Sequence, residues 1–338
     1  REMRWSPGLN LLTGENGAGK TNILEGINIV SGWGPLERGA KTLSMPTWGS
    51  GSSEVQLTGE LESGGIIRVK ISRRYMLRLD DKSVTAADLR WNIPVLTFLP
   101  DDMSIVEGSS AFRRRLLDML LALIVPSYAM RLAEYRRGVR QKAVFLKRGM
   151  PAMIADRALL PLAAWIWRMR IEGVKLLSSC LEGMSELTPV KITLSLKRGG
   201  AGFDDDCEND YAKAVIANRG REAAVKFPVV GPHRDDIIIM AGERLASEAL
   251  SRGLRRRTAI AMMLAAADGV KRKIGRDPVL LLDEVTAELD SSGRTLLFES
   301  LLSRETQVFA ATAEPFVEKF PGLIHRVSEG RVTESYEN

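Results

Sequence analysis

Gly14-Glu15-Asn16-Gly17-Ala18-Gly19-Lys20-Thr21 decides how this chain is read. A glycine, four residues, a second glycine, a lysine and a serine or threonine form a loop that cradles phosphates. The flanks agree. Leu9-Asn10-Leu11-Leu12-Thr13 predicts a buried strand, and Asn22-Ile23-Leu24-Glu25-Gly26-Ile27 predicts the helix after it. Backbone N–H groups from Gly14, Glu15, Asn16, Gly17, Ala18 and Gly19 then face an anion, and the helix dipole adds positive charge. Lys20 reaches the β- and γ-phosphates of ATP, and the Thr21 hydroxyl holds Mg²⁺. The bland alternative, a glycine-rich turn that matches by chance, does not explain the strand and helix on either side.

Composition sets the frame. A chain of 338 residues holds two domains, or one domain with a large insertion. No apolar run reaches the ~20 residues that a membrane helix needs, and no signal peptide is visible. Cys180 and Cys207 are too few for a disulfide framework, which fits a reducing cytoplasm. With only two histidines, a zinc site is not expected. The net charge of +6 suits a polyanionic partner such as nucleic acid. The first core strand follows closely on Arg1, so the N-terminus is expected to be trimmed.

Beyond the first helix, a glycine-rich connection spans 31–53. Val55, Leu57, Gly59 and Leu61 then alternate with polar residues, Gly64-Gly65 turns the chain, and Ile67, Val69 and Ile71 alternate back. This predicts a β-hairpin with one wet face, and Met76–Leu79 offers a third strand. Val95–Leu99 reads as a buried strand ended by Pro100. Asp101 and Asp102 follow, either as a solvated turn or as polar groups near the nucleotide. Ser109 or Ser110 is placed to cap a helix from Ala111 to about Ile124. Arg113-Arg114-Arg115 lies in its first turn, where the helix dipole opposes cations, so a phosphate or a carboxylate is expected to compensate them.

The pattern is helical over 127–187. Tyr128–Arg148 carries Arg131, Arg136, Arg137, Arg140, Lys142, Lys147 and Arg148. That face is either simply solvated or binds DNA phosphates. Arg113, Arg114, Arg136, Arg137 and Arg140 are the candidate DNA contacts. Trp165 and Trp167 fit a core better than a base-stacking platform. A strand at 190–196, a solvated acidic loop at 199–210, a helix at 211–226 and a strand at 237–240 complete this part.

Val279-Leu280-Leu281-Leu282-Asp283-Glu284 is an apolar strand that ends in two acids. A buried parallel strand places both at its C-terminal end, where α/β sheets bind ligands. Asp283 is the second candidate Mg²⁺ ligand. Glu284 is the candidate catalytic residue, polarising the water that attacks the γ-phosphate. Glu288-Leu289-Asp290 comes just after. Ser251-Arg252-Gly253-Leu254 opens another helix and forms a second anion site. One chain does not need two γ-phosphate sites. A head-to-tail dimer resolves this: the loop of one protomer and Ser251, Arg252 and Gly253 of the other sandwich one ATP, with two-fold closure.

These residues resemble an ABC-type ATPase and, within that group, the RecF recombination-repair family. The match rests on Gly14–Thr21, on Phe98–Asp118 with its three arginines, on Gly231-Pro232-His233-Arg234-Asp235-Asp236, and on Leu250–Asp290. The resemblance implies an α/β P-loop ABC-type ATPase head with a mixed sheet and an antiparallel β subdomain. It places the head at 1–110 and 226–338 and an inserted, mainly helical lobe at 111–225. Asp290 becomes the D-loop residue. It also implies ATP-driven homodimerisation, binding to gapped or junction DNA, and cooperation with RecR and RecO to load RecA. No membrane partner is implied, and the location is cytoplasmic, at the nucleoid.

Three departures matter. The N-terminal strands expected of the family are missing, Leu254 stands where a glutamine is usual, and Thr312 stands where many ABC ATPases carry a histidine. They bear on hydrolysis more than on ATP binding, and slow turnover suits a switch. Two ATPase alternatives stay open: a long-armed SMC or Rad50-type ATPase, disfavoured by short inserted helices without heptads, and a transporter subunit. A third, of another class, is a nucleotide-gated scaffold with little turnover.

Overall fold

The structure, a computed structural model, describes residues 3–36, 54–72, 75–202, 204–284, 289–304, 306–313, 320 and 322–337. It divides into two compact units, Arg1–Pro100 with Gly275–Asn338, and Asp101–Ile274.

The first unit opens with β1 (Leu9–Thr13) and α1 (Lys20–Val30). The helix starts at Lys20, two residues before the expected stretch, because helical geometry takes over directly after the left-handed Gly19. Most of the 31–53 connection lies outside the described residues. β2 (Val55–Glu60), β3 (Ile66–Ile71), β4 (Tyr75–Leu79) and the short β5 (Lys82–Ser83) pair antiparallel in that order. Alternation decides their facing: Ile67, Val69 and Ile71 pack with Ile29 and Leu89, while Arg68 points outward. α2 (Ala86–Asn92) carries a reciprocal Thr85–Asp88 capping box, and β6 (Val95–Phe98) follows.

The second unit holds α3 (Ser110–Ile124), α4 (Tyr128–Lys147), α5 (Met153–Leu181), β7 (Ile192–Lys197), α6 (Cys207–Val225), β8 (Asp236–Ala241), β9 (Arg244–Leu245), α7 (Ala246–Ala249) and α8 (Arg252–Ile274). It is larger than the lobe expected at 111–225, for two physical reasons. β8 pairs with β7 from Asp236 to Ala241, which keeps residues past 225 in this unit. α8 is buried without interruption from Thr258 to Ala267, so it needs helices around it. It packs on α3 and α5, with Gly269 close to Leu120 and Leu176. The acidic stretch is not simply solvated either: Asp206 caps α6, and the fully buried Asp210 pairs with Arg198 at 2.9 Å. Phe203 of that stretch lies outside the described residues.

β10 (Val279–Asp283), α9 (Ser291–Leu302), β11 (Val308–Thr312), β12 (Leu323–Ser328) and β13 (Arg331–Glu337) complete the first unit. Among the described residues its main sheet has the order β13-β12-β1-β11-β10-β6. Only the β12–β13 pair is antiparallel. β1, β6, β10 and β11 are largely apolar and buried along their length, as expected of strands covered on both faces. Leu12, Leu24, Val95, Leu281 and Phe309 share one core, each worth about 1.5–3 kcal/mol of burial. Register sets the site: Thr13 lies opposite Thr312, and Asp283 opposite Ala311. The C-terminal ends of β1, β11 and β10 therefore share one edge. Among the described residues, no helix is long and apolar enough to cross a membrane.

Candidate active site

The loop between β1 and α1 wraps over the hairpin turn that joins β12 to β13. Gly330 N donates to Ala18 O at 2.6 Å. Gly14 has a φ of 155°, and a Cβ there would strike the Val327 carbonyl. Gly19 has a φ of 100°, and its Cβ would sit 2.7 Å from Gly330 Cα. Both glycines are thus needed for packing as well as for backbone angle. No side chain caps the start of α1, so its first N–H groups remain available to an anion.

Lys20 is 5% exposed. Its Nζ donates to Gly14 O at 2.8 Å and Glu15 O at 3.1 Å, and lies 3.5 Å from Glu284 Oε1. Thr21 Oγ1 donates to Asp283 Oδ2 at 3.0 Å. The two residues expected to share Mg²⁺ therefore meet, although 262 positions separate them. Burial holds the Asp283 carboxyl above its ordinary range, the Thr21 hydrogen bond opposes this, and the Glu284 charge adds to it. A hydroxyl and a buried carboxylate beside a second carboxylate fit a hard divalent cation.

Glu284 follows β10 with a φ of 49°, a left-handed angle that costs a non-glycine residue roughly 1–2 kcal/mol. Its N donates to Ala311 O at 2.9 Å, and its Oε2 accepts from Ala313 N at 3.1 Å. The turn thus aims the carboxylate at Lys20. Asp290 caps α9, accepting from Gly293 N at 2.7 Å. Glu288 lies outside the described residues. Thr312 ends β11, the strand between β1 and β10.

In the second unit, Ser251, Arg252 and Gly253 are exposed at the start of α8. Ser251 Oγ accepts from Leu254 N at 3.3 Å, and a Cβ on Gly253 would meet nothing within 4 Å. The segment is an open helix start, with room for a ligand to approach its backbone.

The arginine triplet has internal partners. Arg113 grips Asp236 with two hydrogen bonds, of 2.7 and 3.1 Å, and its Nη1 serves the carbonyls of Ile105 and Gly108. Arg115 pairs with Asp102, which is buried and so is not a solvated turn residue. A carboxylate therefore compensates Arg113 and Arg115, and Arg113 spends four of its five N–H donors inside the unit. Ser109 occupies the cap position without a side-chain bond. On α4, Arg136, Arg137 and Arg140 are exposed. Lys142 is not part of that face. It is buried between Asp156 and Glu222, at 2.7 and 2.6 Å.

A buried polar cluster went unread in the sequence. Arg170 of α5, 1% exposed, donates to Asp235 Oδ2 at 2.7 Å and Asp118 Oδ1 at 2.9 Å. Trp167 Nε1 donates to Asp235 Oδ1 at 2.9 Å, which confirms Trp167 as a core residue. Trp165 lies under the Arg131 guanidinium, 4.6 Å from it. Nothing local in the sequence marks Arg170, because its partners are far away along the chain.

Comparison with known proteins agrees with this geometry. Residues 2–93 match the AAA domain model. DNA replication and repair protein RecF of Heliobacterium modesticaldum is 30% identical over 99% of this chain and 95% of its own length. That of Deinococcus deserti is 32% identical over 98% and 90%. Among solved structures, the recombination mediator RecF with ATP in the RecFOR pathway superposes with a TM-score of 0.83 at 19% identity, covering 99% of this chain and 93% of that one. An Smc head bound to part of ScpA gives a TM-score of 0.51 at 17% identity over 98% and 92%. These structures share the P-loop ATPase fold seen here, and the near-full-length sequence relatives are more specific still: the chain belongs to the RecF family of DNA replication and repair proteins.

Proposed function

We propose that this protein is an ATP-dependent DNA-binding ATPase of recombinational repair that works as an ATP-gated dimer. The observation that carries this reading is the convergence of Lys20 with Glu284 and of Thr21 with Asp283 at one sheet edge. The triphosphate of ATP lies along Gly14–Thr21, and Lys20 turns from the Gly14 and Glu15 carbonyls to the β- and γ-phosphates. Thr21 and Asp283 hold Mg²⁺, which neutralises phosphate charge when bound. Glu284 orients the attacking water and takes its proton. Ser251, Arg252 and Gly253 of a second copy close over the γ-phosphate, with Asp290 beside the shared interface.

Exposed Arg136, Arg137 and Arg140 hold the DNA backbone, and dimer closure raises affinity for gapped or junction DNA. Because a RecF protein is placed in the RecFOR pathway, we assign this chain the same partners, RecR and RecO, the task of loading RecA, and a cytoplasmic place at the nucleoid. Hydrolysis is slow and DNA-stimulated. Thr312, at the position of the histidine switch, favours one second reading, a nucleotide-gated scaffold that hardly turns over. Single-turnover hydrolysis with and without gapped DNA separates them. A rate that DNA raises supports the ATPase switch, and ATP binding without measurable hydrolysis supports the scaffold.

A further inference from the structure

The second unit contains a cleft of about 150 Å³ lined by Arg114, Leu132, Tyr135, Arg136, Arg170 and His233. Three guanidinium groups meet here, with two carboxylates, Asp118 and Asp235, behind them. Arg114 is the unusual member. Its neighbours Arg113 and Arg115 each hold a carboxylate, whereas Arg114 Nη1 donates only to neutral oxygens, Ser110 Oγ at 2.6 Å and Asp235 O at 2.5 Å. Its Nε and Nη2 make no hydrogen bond among the described residues. Arg136 spends one donor on Asp118 at 3.1 Å and is 57% exposed.

The other polar groups of the cleft are already committed. His233 Nε2 donates to Pro228 O at 3.1 Å, so Nδ1 is left to accept the Tyr135 hydroxyl at 2.7 Å. Burial lowers the His233 pKa to about 4, so the imidazole is neutral near pH 7, and the two carboxylates Asp118 and Asp235 leave the three guanidinium groups one positive charge in excess. Planar guanidinium forks of this kind suit a phosphoryl oxyanion. A volume of about 150 Å³ is ample for one such group.

We infer that the cleft between Arg114 and Arg136 is an oxyanion site that seats one phosphate of bound DNA. It rests on the DNA-binding reading above and adds to it a specific docking point for the backbone. Arg114 and Arg136 donate to the phosphate oxygens, Leu132 and Tyr135 limit the depth, and the Arg170–Asp118–Asp235 cluster fixes the walls.

Two measurements on the full chain test this. In crystals soaked with selenate, an anomalous peak is expected in contact with both Arg114 and Arg136, and it should vanish in Arg114→Gln. In DNA titrations, Arg114→Gln should weaken duplex binding roughly 5- to 10-fold near 0.1 M salt and lower the slope of log Kobs against log salt by about one. Arg136→Gln, made on an exposed side chain, carries the titration if Arg114→Gln does not fold. Binding of DNA with an unchanged slope overturns the inference. If the native protein binds no DNA, the function proposed above fails. A selenate peak in the cleft then keeps the oxyanion site with free phosphate as its ligand, and an empty cleft removes it.

Discussion

Lys20 Nζ stands 3.5 Å from Glu284 Oε1 while it donates to the carbonyls of Gly14 and Glu15. The cation that should grip the γ-phosphate is thus tied to its own loop and to the acid that should activate water. Nucleotide must replace these contacts. Lys20→Met is expected to weaken ATP binding roughly 10- to 100-fold, the size of one charge-assisted hydrogen bond or two. Glu284→Gln should leave binding near native and slow hydrolysis roughly 10²- to 10³-fold. Calorimetric titration and single-turnover assays read the two effects separately. Equal loss of binding in both variants would contradict the division of roles.

The left-handed backbone of Glu284 gives a second test. Glu284→Gly should raise stability in urea unfolding by about 1 kcal/mol through relief of strain, and abolish hydrolysis. A variant less stable than native would mean that the Lys20 and Ala313 contacts outweigh the strain.

Gly19 and Gly17 should respond differently to alanine. Gly19→Ala places a Cβ against Gly330, and roughly 1–3 kcal/mol should be lost as the hairpin turn moves away. Gly17 has a φ of 82° but open space around it, so its alanine variant should lose only about 1 kcal/mol. Thermal unfolding without nucleotide measures both, and equal losses would remove the packing argument.

Much of the first unit was legible in the sequence. The glycine loop, the apolar runs of β1 and β10 and the acids after them are local signals with fixed spacing, and they located Lys20, Thr21, Asp283 and Glu284. The period-two hairpin was legible for the same reason. What the sequence hid is long-range. Nothing near Gly14 or Gly19 announces the Val327–Gly330 turn that presses on them. The arginine triplet carried the right question, which groups compensate it, but Asp236 and Asp102 could be matched to Arg113 and Arg115 only by folding. Lys142 reads as part of a basic face because Asp156 and Glu222 lie on other helices. The second unit grew past 111–225 because strand pairing and the burial of α8 decide compactness, and neither is visible as a boundary in composition.

The Arg170 cluster should be costly to break. Asp235→Asn leaves a buried guanidinium short of a charge partner, and about 3–5 kcal/mol should be lost. Urea denaturation read by tryptophan fluorescence is suitable, since Trp167 bonds to the same carboxylate. A loss below 1 kcal/mol would show that the cluster is not a stability element.

His233 sets a pH response. Burial first, and then the nearby Arg234, Lys142 and Arg114 cations, lower its pKa from 6.5 to about 4, against the opposing hydrogen bond to Pro228 O. Above pH 6.5 the ring is neutral in both states and costs nothing. As pH falls from 6.5 to 4, the unfolded chain takes up a proton that the folded chain refuses, so stability drops by roughly 3 kcal/mol. His233→Asn should remove that drop from its own stability curve, so the native-minus-variant difference falls by roughly 3 kcal/mol between pH 6.5 and 4; parallel curves would contradict the assignment.

Sedimentation velocity of the full chain with ATP and Mg²⁺ tests the central claim most directly. The native protein should shift from monomer to dimer on ATP addition, and Glu284→Gln should hold the dimer longer. Lys20→Met and Ser251→Arg should each prevent the shift. A native protein that binds ATP yet stays monomeric across the accessible concentration range would contradict the shared-nucleotide account.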